Sequence, residues 1–288
     1  MSARPDTDLK TAERVTTGDK REMLMEYPDI IYTKENHIAT ITMNRPDKMN
    51  AFTPEMSDSL YRAFKDSDED HDVRVIILTA VGRAFCAGAD VKAMAQSFNI
   101  PEEKHKYDMG RSERTNLHLL MQRCNKPIIG AINGVAAGGG LDLACACDVR
   151  IASDKARFAE VFVRRGMMPA SGGTYFLPRL VGVDRACLMA WTGDMVHAEE
   201  AERIGLVTMV VPHDELELAV MELAEKLAKG PPLAIQRTKR AIYDGLKMDL
   251  EETFDYIAPV INFLNHTEDH KEGARAFVEK REPVFRGE

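Results

Sequence analysis

The stretch KPIIGAINGVAAGGGLDLACACDVRIAS, residues 126–153, decides the fold. Its most apolar part, residues 128–147, is about as long as a membrane span. Asn133, Asp142 and a glycine triplet nevertheless interrupt that part. A buried strand, a glycine-rich turn and the start of a helix explain this pattern better than a membrane helix does.

The regions on either side alternate in the same way. VRVIILTA, residues 73–80, is a nearly continuous β-branched run, typical of a strand buried on both faces. IIYTKENHIATITM predicts two short strands joined through residues 34–36, and Thr53 and Pro54 open a helix as N-cap and first residue. DVRIAS, ARFAEV and TMVV predict further short strands, and only helices follow Pro212. Strands that alternate with helices indicate an α/β protein.

Three regions are predicted along the chain. Residues 1–27 form a polar extension without apolar periodicity, and residues 28–212 contain the strands. Residues 213–288 are helical, and LEETFDYIAPVINFL within them has apolar residues over a wide arc. A helix of this kind needs a cover beyond its own subunit, so the C-terminal region is expected to mediate self-association.

Composition excludes several classes of protein. The chain has 288 residues, 44% of them hydrophobic, and a net charge of −8. This is ordinary for a globular protein, and an acidic chain is a poor candidate for binding nucleic acid. The N-terminal segment has no apolar core of a secretory signal, and the five cysteines are odd in number, so we expect buried free thiols and a cytoplasmic location.

No metal or cofactor site is predicted. Asp66, Asp68 and Asp70 alternate as in a calcium loop, but His71 stands where such a loop needs glycine and Ile77 where it needs the closing glutamate. A solvated helix end explains these acids better.

Two glycine-rich turns, CAGAD (86–90) and AAGGGLD (136–142), each follow a predicted buried strand. Glycine allows a ligand to approach backbone N–H groups closely, and N–H groups at a helix start are unpaired. Two such turns facing each other are able to form an oxyanion hole, whereas for either turn alone tight helix–sheet packing is the favoured interpretation.

Four motifs in this order resemble the enoyl-CoA hydratase/isomerase (crotonase) superfamily: ITMNRPDKMNAF (41–52), AFCAGADVKAM (84–94), the stretch 126–153 and GGTYFLPRLVG (172–182). The resemblance runs from about Tyr27 to the C-terminus. It implies a spiral of repeated ββα units, C-terminal helices that pack subunits into trimers or hexamers, and an acyl-CoA thioester as substrate, with no further cofactor. It also implies that the backbone N–H groups of Ala89 and Gly139 hold the thioester carbonyl oxygen.

The resemblance further implies a set of substrate contacts. The CoA moiety is expected against the loop after the second strand and the turn around Ala89, and a basic residue near the C-terminus, with Arg281 beside it, is expected to reach CoA phosphates of a neighbouring subunit. The candidates are Lys48, Met49, Asn50, Ala51, Ala87, Asp90, Lys92, Gly138 and Lys280. An ordinary solvated surface position is an equally good interpretation of each charged residue among them.

The predicted carboxylates depart from the family pattern. Family hydratases use two glutamates, and Asp142 takes the place of the first, three residues after Gly139. Counting along ARFAEVFVRRG (156–166) puts Phe162 at the second, and Ala170 stands where family isomerases carry an acid. Glu160 lies two residues earlier and is expected not to reach the site. The sequence therefore predicts one catalytic carboxylate, Asp142, with Phe162 lining an apolar acyl pocket.

The leading hypothesis is an acyl-CoA lyase that adds water reversibly to a conjugated enoyl-CoA with a branched, cyclic or dienoyl acyl group. A double-bond isomerase is the first alternative, because one carboxylate suffices to move a proton. A hydrolase or decarboxylase on the same frame and a non-catalytic acyl-CoA binding protein are the others. Further polar candidates are His105, Tyr107, Asp108, Glu113 and Tyr256.

Overall fold

The computed structural model describes residues 27–90 and 116–288. In these residues ten strands form a six-stranded sheet, in the order β1-β2-β3-β5-β7-β10, and a four-stranded sheet, in the order β4-β6-β8-β9. The strands are β1 (Ile30–Glu35), β2 (Ile38–Met43), β3 (Val75–Ala80), β4 (Ala84–Cys86), β5 (Ile128–Ile132), β6 (Val135–Ala137), β7 (Val149–Ser153), β8 (Arg157–Ala159), β9 (Val196–His197) and β10 (Met209–Val211).

The described helices surround and extend the sheets. They are α1 (Pro54–Glu69), α2 (Leu117–Arg123), α3 (Gly139–Cys145), α4 (Gly173–Val181), α5 (Val183–Thr192), α6 (Ala198–Arg203), α7 (Leu216–Ala228), α8 (Pro232–Gly245), α9 (Leu250–Asn265) and α10 (Glu268–Glu279), with short 3₁₀ helices at Pro46–Lys48, Val161–Arg165 and His213–Glu215.

The chain winds between the two sheets as a spiral. β3, β5 and β7 each add to the large sheet, and the strand that follows each, β4, β6 or β8, adds to the small one. These neighbours pair in parallel, whereas β1 pairs with β2 and β9 with β8 in antiparallel fashion. This is the crotonase arrangement of repeated ββα units, so the predicted α/β class and spiral are confirmed.

Local sequence signals set the element boundaries. β1 and β2 join at Asn36 and His37, whose positive φ angles of 51° and 67° give a tight turn of the kind that suits the twist of a hairpin. The turn therefore begins at residue 36, two residues later than the predicted start at residue 34. Thr53 caps α1 through its side-chain oxygen, which accepts the N–H of Met56 at 3.1 Å, and Pro54 is the first helical residue, as predicted.

The large sheet is covered on both faces. On one face Ile77, Ile129 and Ile151 pack against Val220 and Ala224 of α7. On the other face the core continues through α1, α3 and the small sheet. Because both faces are buried, the central strands are nearly continuous apolar runs. The site described below lies where the small sheet passes into α3 and α4.

Helices α7 to α10 follow the last described strand, and they leave large apolar side chains in solvent. Phe254 is 60% exposed and Phe277 is 86% exposed. The predicted polar extension falls almost entirely on residues 1–26, which lie outside the described residues. None of the helices in the described ranges is long and apolar enough to span a membrane.

The cysteines are free thiols. Cys86, Cys124, Cys145 and Cys147 are buried, and Cys187 is half-buried. Across residues 27–90 and 116–288 no group of three or more His, Cys, Asp and Glu side chains is placed to hold a metal ion.

Candidate active site

The two glycine-rich turns pack backbone against backbone. A Cβ atom on Gly88 would lie 3.3 Å from the nitrogen of Gly139 and 2.7 Å from the carbonyl oxygen of Ala137. A Cβ atom on Gly140 would lie only 2.0 Å from the carbonyl oxygen of Cys86. Glycine is therefore required at both positions for this contact, and the structure brings the two predicted turns together.

The backbone N–H groups of Ala89 and Gly139 are not used in the backbone hydrogen bonding of the described residues. Gly139 is the first residue of α3, where N–H groups have no partner within the helix. Ala89 forms a bridge with Phe52, but the bonds of that bridge use the N–H groups of Phe52 and Asp90 instead. Among the described residues we find no backbone hydrogen bond donated by either N–H group.

Asp142 lies one turn into α3 and is fully buried, at 0% exposure. Its Oδ2 accepts the backbone N–H of Ser171 at 3.0 Å, and the backbone N–H of Gly173, at the start of α4, also acts to lower the pKa of the carboxyl group. A Cβ atom on Gly173 would lie 2.2 Å from Asp142 Oδ1. The glycine pair before α4 thus lets the helix start approach the carboxylate closely.

The structure corrects the expectation for Glu160. The Glu160 side chain is fully buried, at 0% exposure, and its Oε1 lies 2.8 Å from the Cβ position of Gly173, which is 2.2 Å from Asp142 Oδ1. The prediction that it does not reach the site assumed that a strand continues through it. β8 instead ends at Ala159, and Glu160 is the residue at which the chain turns into the 3₁₀ helix Val161–Arg165. Two buried carboxyl groups therefore lie together where the sequence predicted one.

The pair has unusual acid–base properties. Burial, with no water to solvate the charge, raises the pKa of Asp142, and the hydrogen bonds from Glu160, Ser171 and Gly173 oppose that rise. Burial also raises the pKa of Glu160, and the neighbouring charge and hydrogen bond of Asp142 raise it further. The pair consequently holds one proton at neutral pH, chiefly on Glu160.

Phe162 occupies the position predicted for a second carboxylate. It is buried within the 3₁₀ helix, and its ring lies 3.6 Å from the Cβ position of Gly138, next to the predicted oxyanion position. Gly138 has a φ of 53° and donates its N–H to the carbonyl oxygen of Ala159 at 2.8 Å. The aromatic ring thus closes one side of the turn that carries Gly139.

Asn50 organises the predicted CoA loop from within. Its side-chain NH₂ donates to the carbonyl oxygens of Val81 at 2.9 Å and Ala84 at 2.8 Å, and its Oδ1 accepts the N–H of Arg45 at 2.8 Å. The side chain is fully buried, so it shapes the loop and does not face a ligand.

The other predicted substrate residues fall into three groups. Lys48 is exposed and Met49 half-buried on the loop, whereas Ala51 is buried. Ala87 is half-buried and donates its N–H to the carbonyl oxygen of Met49 at 3.0 Å, which joins the loop to the turn. Asp90 is half-buried beside Arg45, with 3.8 Å between Oδ2 and Nη2.

The remaining candidates lie away from this cluster or outside the described residues. Lys280 is exposed at the end of α10 with a φ of 54°, and Arg281 is held by Glu272 in a two-pronged ion pair. The hydroxyl of Tyr256 donates to Asp244 at 3.4 Å. Lys92, His105, Tyr107, Asp108 and Glu113 lie outside the described residues.

Sequence reasoning missed two features of the site. One is the approach of the backbone N–H groups of Ser171 and Gly173 to Asp142. The sequence signal for it is the pair Gly172-Gly173 at a helix start. The other is His118, whose Nε2 is buried without a hydrogen-bond partner among the described residues. His118 lies beside Gly172, with 4.0 Å between its Cβ and the Cβ position of the glycine, and burial lowers its pKa to about 4. An isolated histidine in a helix gives no sequence signal for such a position.

Comparison with known proteins agrees with this geometry. The sequence model of the Enoyl-CoA hydratase/isomerase family matches residues 33–288. The chain belongs to the enoyl-CoA hydratase/isomerase family. It acts on acyl-CoA as a crotonase, and the level of identity to its relatives leaves hydratase and isomerase activity both open.

Individual crotonases match over nearly their whole length. The (E)-benzylidenesuccinyl-CoA hydratase of Thauera aromatica is 41% identical over 88% of this chain and 96% of its own. The short-chain-enoyl-CoA hydratase of Clostridium acetobutylicum is 36% identical over 89% and 97%. The crystal structure of enoyl-CoA hydratase from Bacillus anthracis superimposes with a TM-score of 0.83 at 36% identity, over 90% of this chain and all of that one.

Proposed function

We propose that this crotonase is a hydro-lyase that adds water reversibly to a conjugated enoyl-CoA thioester. The proposal rests on the buried Asp142 carboxylate, which lies three residues after Gly139 and accepts the backbone N–H of Ser171. A carboxylate in this position lies beside the carbonyl group that Ala89 and Gly139 would polarise. The relatives named as hydratases support the same reaction.

The proposed reaction needs one proton acceptor and one oxyanion site. The Asp142 carboxylate takes a proton from water while the water oxygen bonds to the β-carbon of the enoyl group. The electron pair moves onto the thioester oxygen, where the N–H groups of Ala89 and Gly139 stabilise the enolate. Asp142 then gives the proton to the α-carbon, so that one water is added in total. Removing one oxyanion donor typically costs about 2.7–4 kcal/mol of transition-state stabilisation.

The acyl group is proposed to be bulky. Phe162 replaces a carboxylate with an apolar ring beside Gly138, and Phe52 lies 3.5 Å from the Cβ position of Gly139. Two aromatic rings around the reaction centre favour a branched, cyclic or aromatic acyl chain over a charged one.

Double-bond isomerisation is the alternative, and the proton sharing of the carboxyl pair favours it. A pair that holds one proton offers one basic carboxylate, which is sufficient to remove a proton from one carbon and return it to another. Purified protein incubated with a panel of enoyl-CoA thioesters, followed by mass spectrometry, separates the two reactions. Gain of one water supports the hydratase, whereas a product of unchanged mass supports the isomerase and overturns the hydratase.

The quaternary structure is also proposed. The exposed apolar residues of the C-terminal helices support assembly into trimers or dimers of trimers, in which Lys280 or Arg281 of one subunit approaches the CoA phosphates bound to the next. A location in the cytoplasm fits the free cysteines, because reducing compartments keep thiols unpaired.

A further inference from the structure

The two carboxyl groups of the site have unequal surroundings. Asp142 Oδ2 accepts the backbone N–H of Ser171 at 3.0 Å, and the backbone N–H of Gly173 also favours the charged form of this carboxyl group. The Glu160 oxygens are buried, and no group of the described residues donates a hydrogen bond to them. Hydrogen bonds to backbone N–H groups stabilise the charged form, so the negative charge belongs on Asp142 and the proton on Glu160.

The two carboxyl groups lie close together beside the start of α4. A Cβ atom on Gly173 would lie 2.2 Å from Asp142 Oδ1 and 2.8 Å from Glu160 Oε1, so both oxygens crowd the start of α4. Two like charges at such separation in a buried site repel strongly. One carboxyl group must therefore stay neutral for the pair to remain in contact.

The other groups packed around Asp142 and Glu160 do not decide which of the two acids holds the proton. From α3 the nearby titratable group is the thiol of Cys145, and burial raises its pKa well above the ordinary range, so that it is neutral. From α4 the contacts are backbone N–H groups. On the 3₁₀ helix Arg164 pairs with Asp194 at 3.6 Å. Among the described residues, no cationic side chain contributes to the pKa shift of either carboxyl group.

We propose that Glu160 is a positioning residue that works as a neutral carboxylic acid: it donates a hydrogen bond to Asp142, keeps that carboxylate ionised and aimed at the substrate, and disables the site when it ionises at higher pH. The proposal rests on the proposed role of Asp142 as the proton-transferring group. It assigns a role to Glu160, whereas the two-glutamate pattern of family hydratases places its second glutamate at the position of Phe162.

The proposal predicts a bell-shaped dependence of kcat on pH. At low pH Asp142 gains a proton and can no longer accept one from water. At high pH Glu160 loses its proton, the two carboxylates repel each other, and Asp142 leaves its position. The acid limb thus belongs chiefly to Asp142 and the basic limb to Glu160, although the pair titrates as a unit.

The test compares the pH profiles of kcat for wild type, Glu160→Gln and Glu160→Leu with the best thioester found for the enzyme. The glutamine amide donates the same hydrogen bond at every pH. Glu160→Gln is therefore expected to keep neutral-pH turnover within about threefold of wild type and to lose the basic limb. Glu160→Leu removes the donor, so turnover at neutral pH is expected to fall at least about tenfold and the acid limb to move to higher pH.

Cys145→Ala is the matched control, because the thiol is the other titratable group beside the pair. It is expected to keep the basic limb. A basic limb that survives in Glu160→Gln, or disappears in Cys145→Ala, overturns the proposal for Glu160. Circular dichroism confirms that each variant is folded. Asp142→Asn separates the two proposals: if that variant is inactive while Glu160→Gln keeps both limbs, the role of Glu160 alone is wrong.

Discussion

Asp142 Oδ1 and Glu160 Oε1 lie 2.2 Å and 2.8 Å from the same point, the Cβ position of Gly173, and both side chains are completely buried. Asp142 follows the oxyanion turn in sequence, whereas Glu160 enters from the end of β8. The helix start at Gly173 lies against both. This relationship defines the acid–base chemistry of the site.

Gly173→Ala tests the close approach of α4 to the pair. The added methyl group would lie 2.2 Å from Asp142 Oδ1, so the carboxylate must move. We expect kcat to fall by about 10²-fold, as for a misplacement of about 1 Å, while affinity for a non-reacting acyl-CoA stays nearly unchanged. Steady-state kinetics and calorimetric titration measure the two quantities.

Gly245→Ala is the control for that substitution. Gly245 is the last residue of α8, and its Cβ position has ordinary contacts of 3.8 Å with Thr253. Alanine there is expected to leave kcat unchanged and to stabilise the helix by about 0.5–1 kcal/mol. Equal losses in both variants would show that the effect at Gly173 is not specific to the carboxylates.

Glu160→Gln is expected to change how stability depends on pH. A carboxyl group whose pKa is raised by folding binds its proton more tightly in the folded state, so wild-type stability is highest below the unfolded pKa and falls as pH rises towards the folded pKa. Glutamine does not titrate and lacks this loss. The free energy of unfolding of Glu160→Gln, relative to that of wild type, should therefore rise between pH 5 and pH 8. The rise is on the order of 1 kcal/mol for each unit by which the pKa of Glu160 in the folded protein exceeds that in the unfolded protein.

Urea unfolding at several pH values measures this difference. An offset between wild type and Glu160→Gln that stays constant with pH would contradict a raised Glu160 pKa. Glu69→Gln is the control, because that side chain is 66% exposed at the end of α1 and is expected to show no such trend.

Asn50→Ala tests the internal order of the CoA loop. The substitution removes the side-chain bonds to the carbonyl oxygens of Val81 and Ala84, which lie outside the loop, and to the N–H group of Arg45 within it. We expect a loss of about 2–4 kcal/mol in the free energy of unfolding and a higher KM for the thioester. Asn125→Ala, at an exposed asparagine, should change neither. Wild-type KM in a folded Asn50→Ala protein would refute the organising role.

Light scattering tests the proposed assembly. The C-terminal helices expose Leu250, Phe254, Phe277 and Val278, each by at least 60%. Such side chains need a partner surface, and we expect the mass of a trimer or a hexamer at micromolar concentration. A monomer under these conditions would rule out a site shared between subunits.

Most of the fold follows from local patterns in the sequence. The β-branched run of β3, the capping pair Thr53-Pro54 and the glycine triplet before α3 each act within a few residues, so the elements they set are predictable. The position of Glu160 is not local in this sense. It depends on where β8 ends. Counting along the family motif places the second catalytic glutamate at Phe162, because the count assumes that the carboxyl group stands at the same position as in the relatives.

The candidate site was predictable to a similar degree. The two glycine-rich turns are visible in the sequence, the family resemblance picks out Ala89 and Gly139 within them, and the structure brings the two turns into contact. The partners of Asp142 come from α4 and from the turn after β8, which meet only in the folded chain. An acidic residue within the apolar stretch FAEVFV is the one sequence signal that points to Glu160, because a buried acid requires a partner.

Turnover of Asp142→Asn tests the central claim most directly, with the product followed by mass spectrometry and the binding of a non-reacting acyl-CoA measured alongside. The amide has the size of the carboxylate but cannot accept the proton of water. If Asp142 carries the proton, water addition is expected to fall by at least about 10³-fold while acyl-CoA affinity stays within a few-fold of wild type. Near-wild-type turnover in the folded variant would contradict it, because another residue would then have to carry the proton.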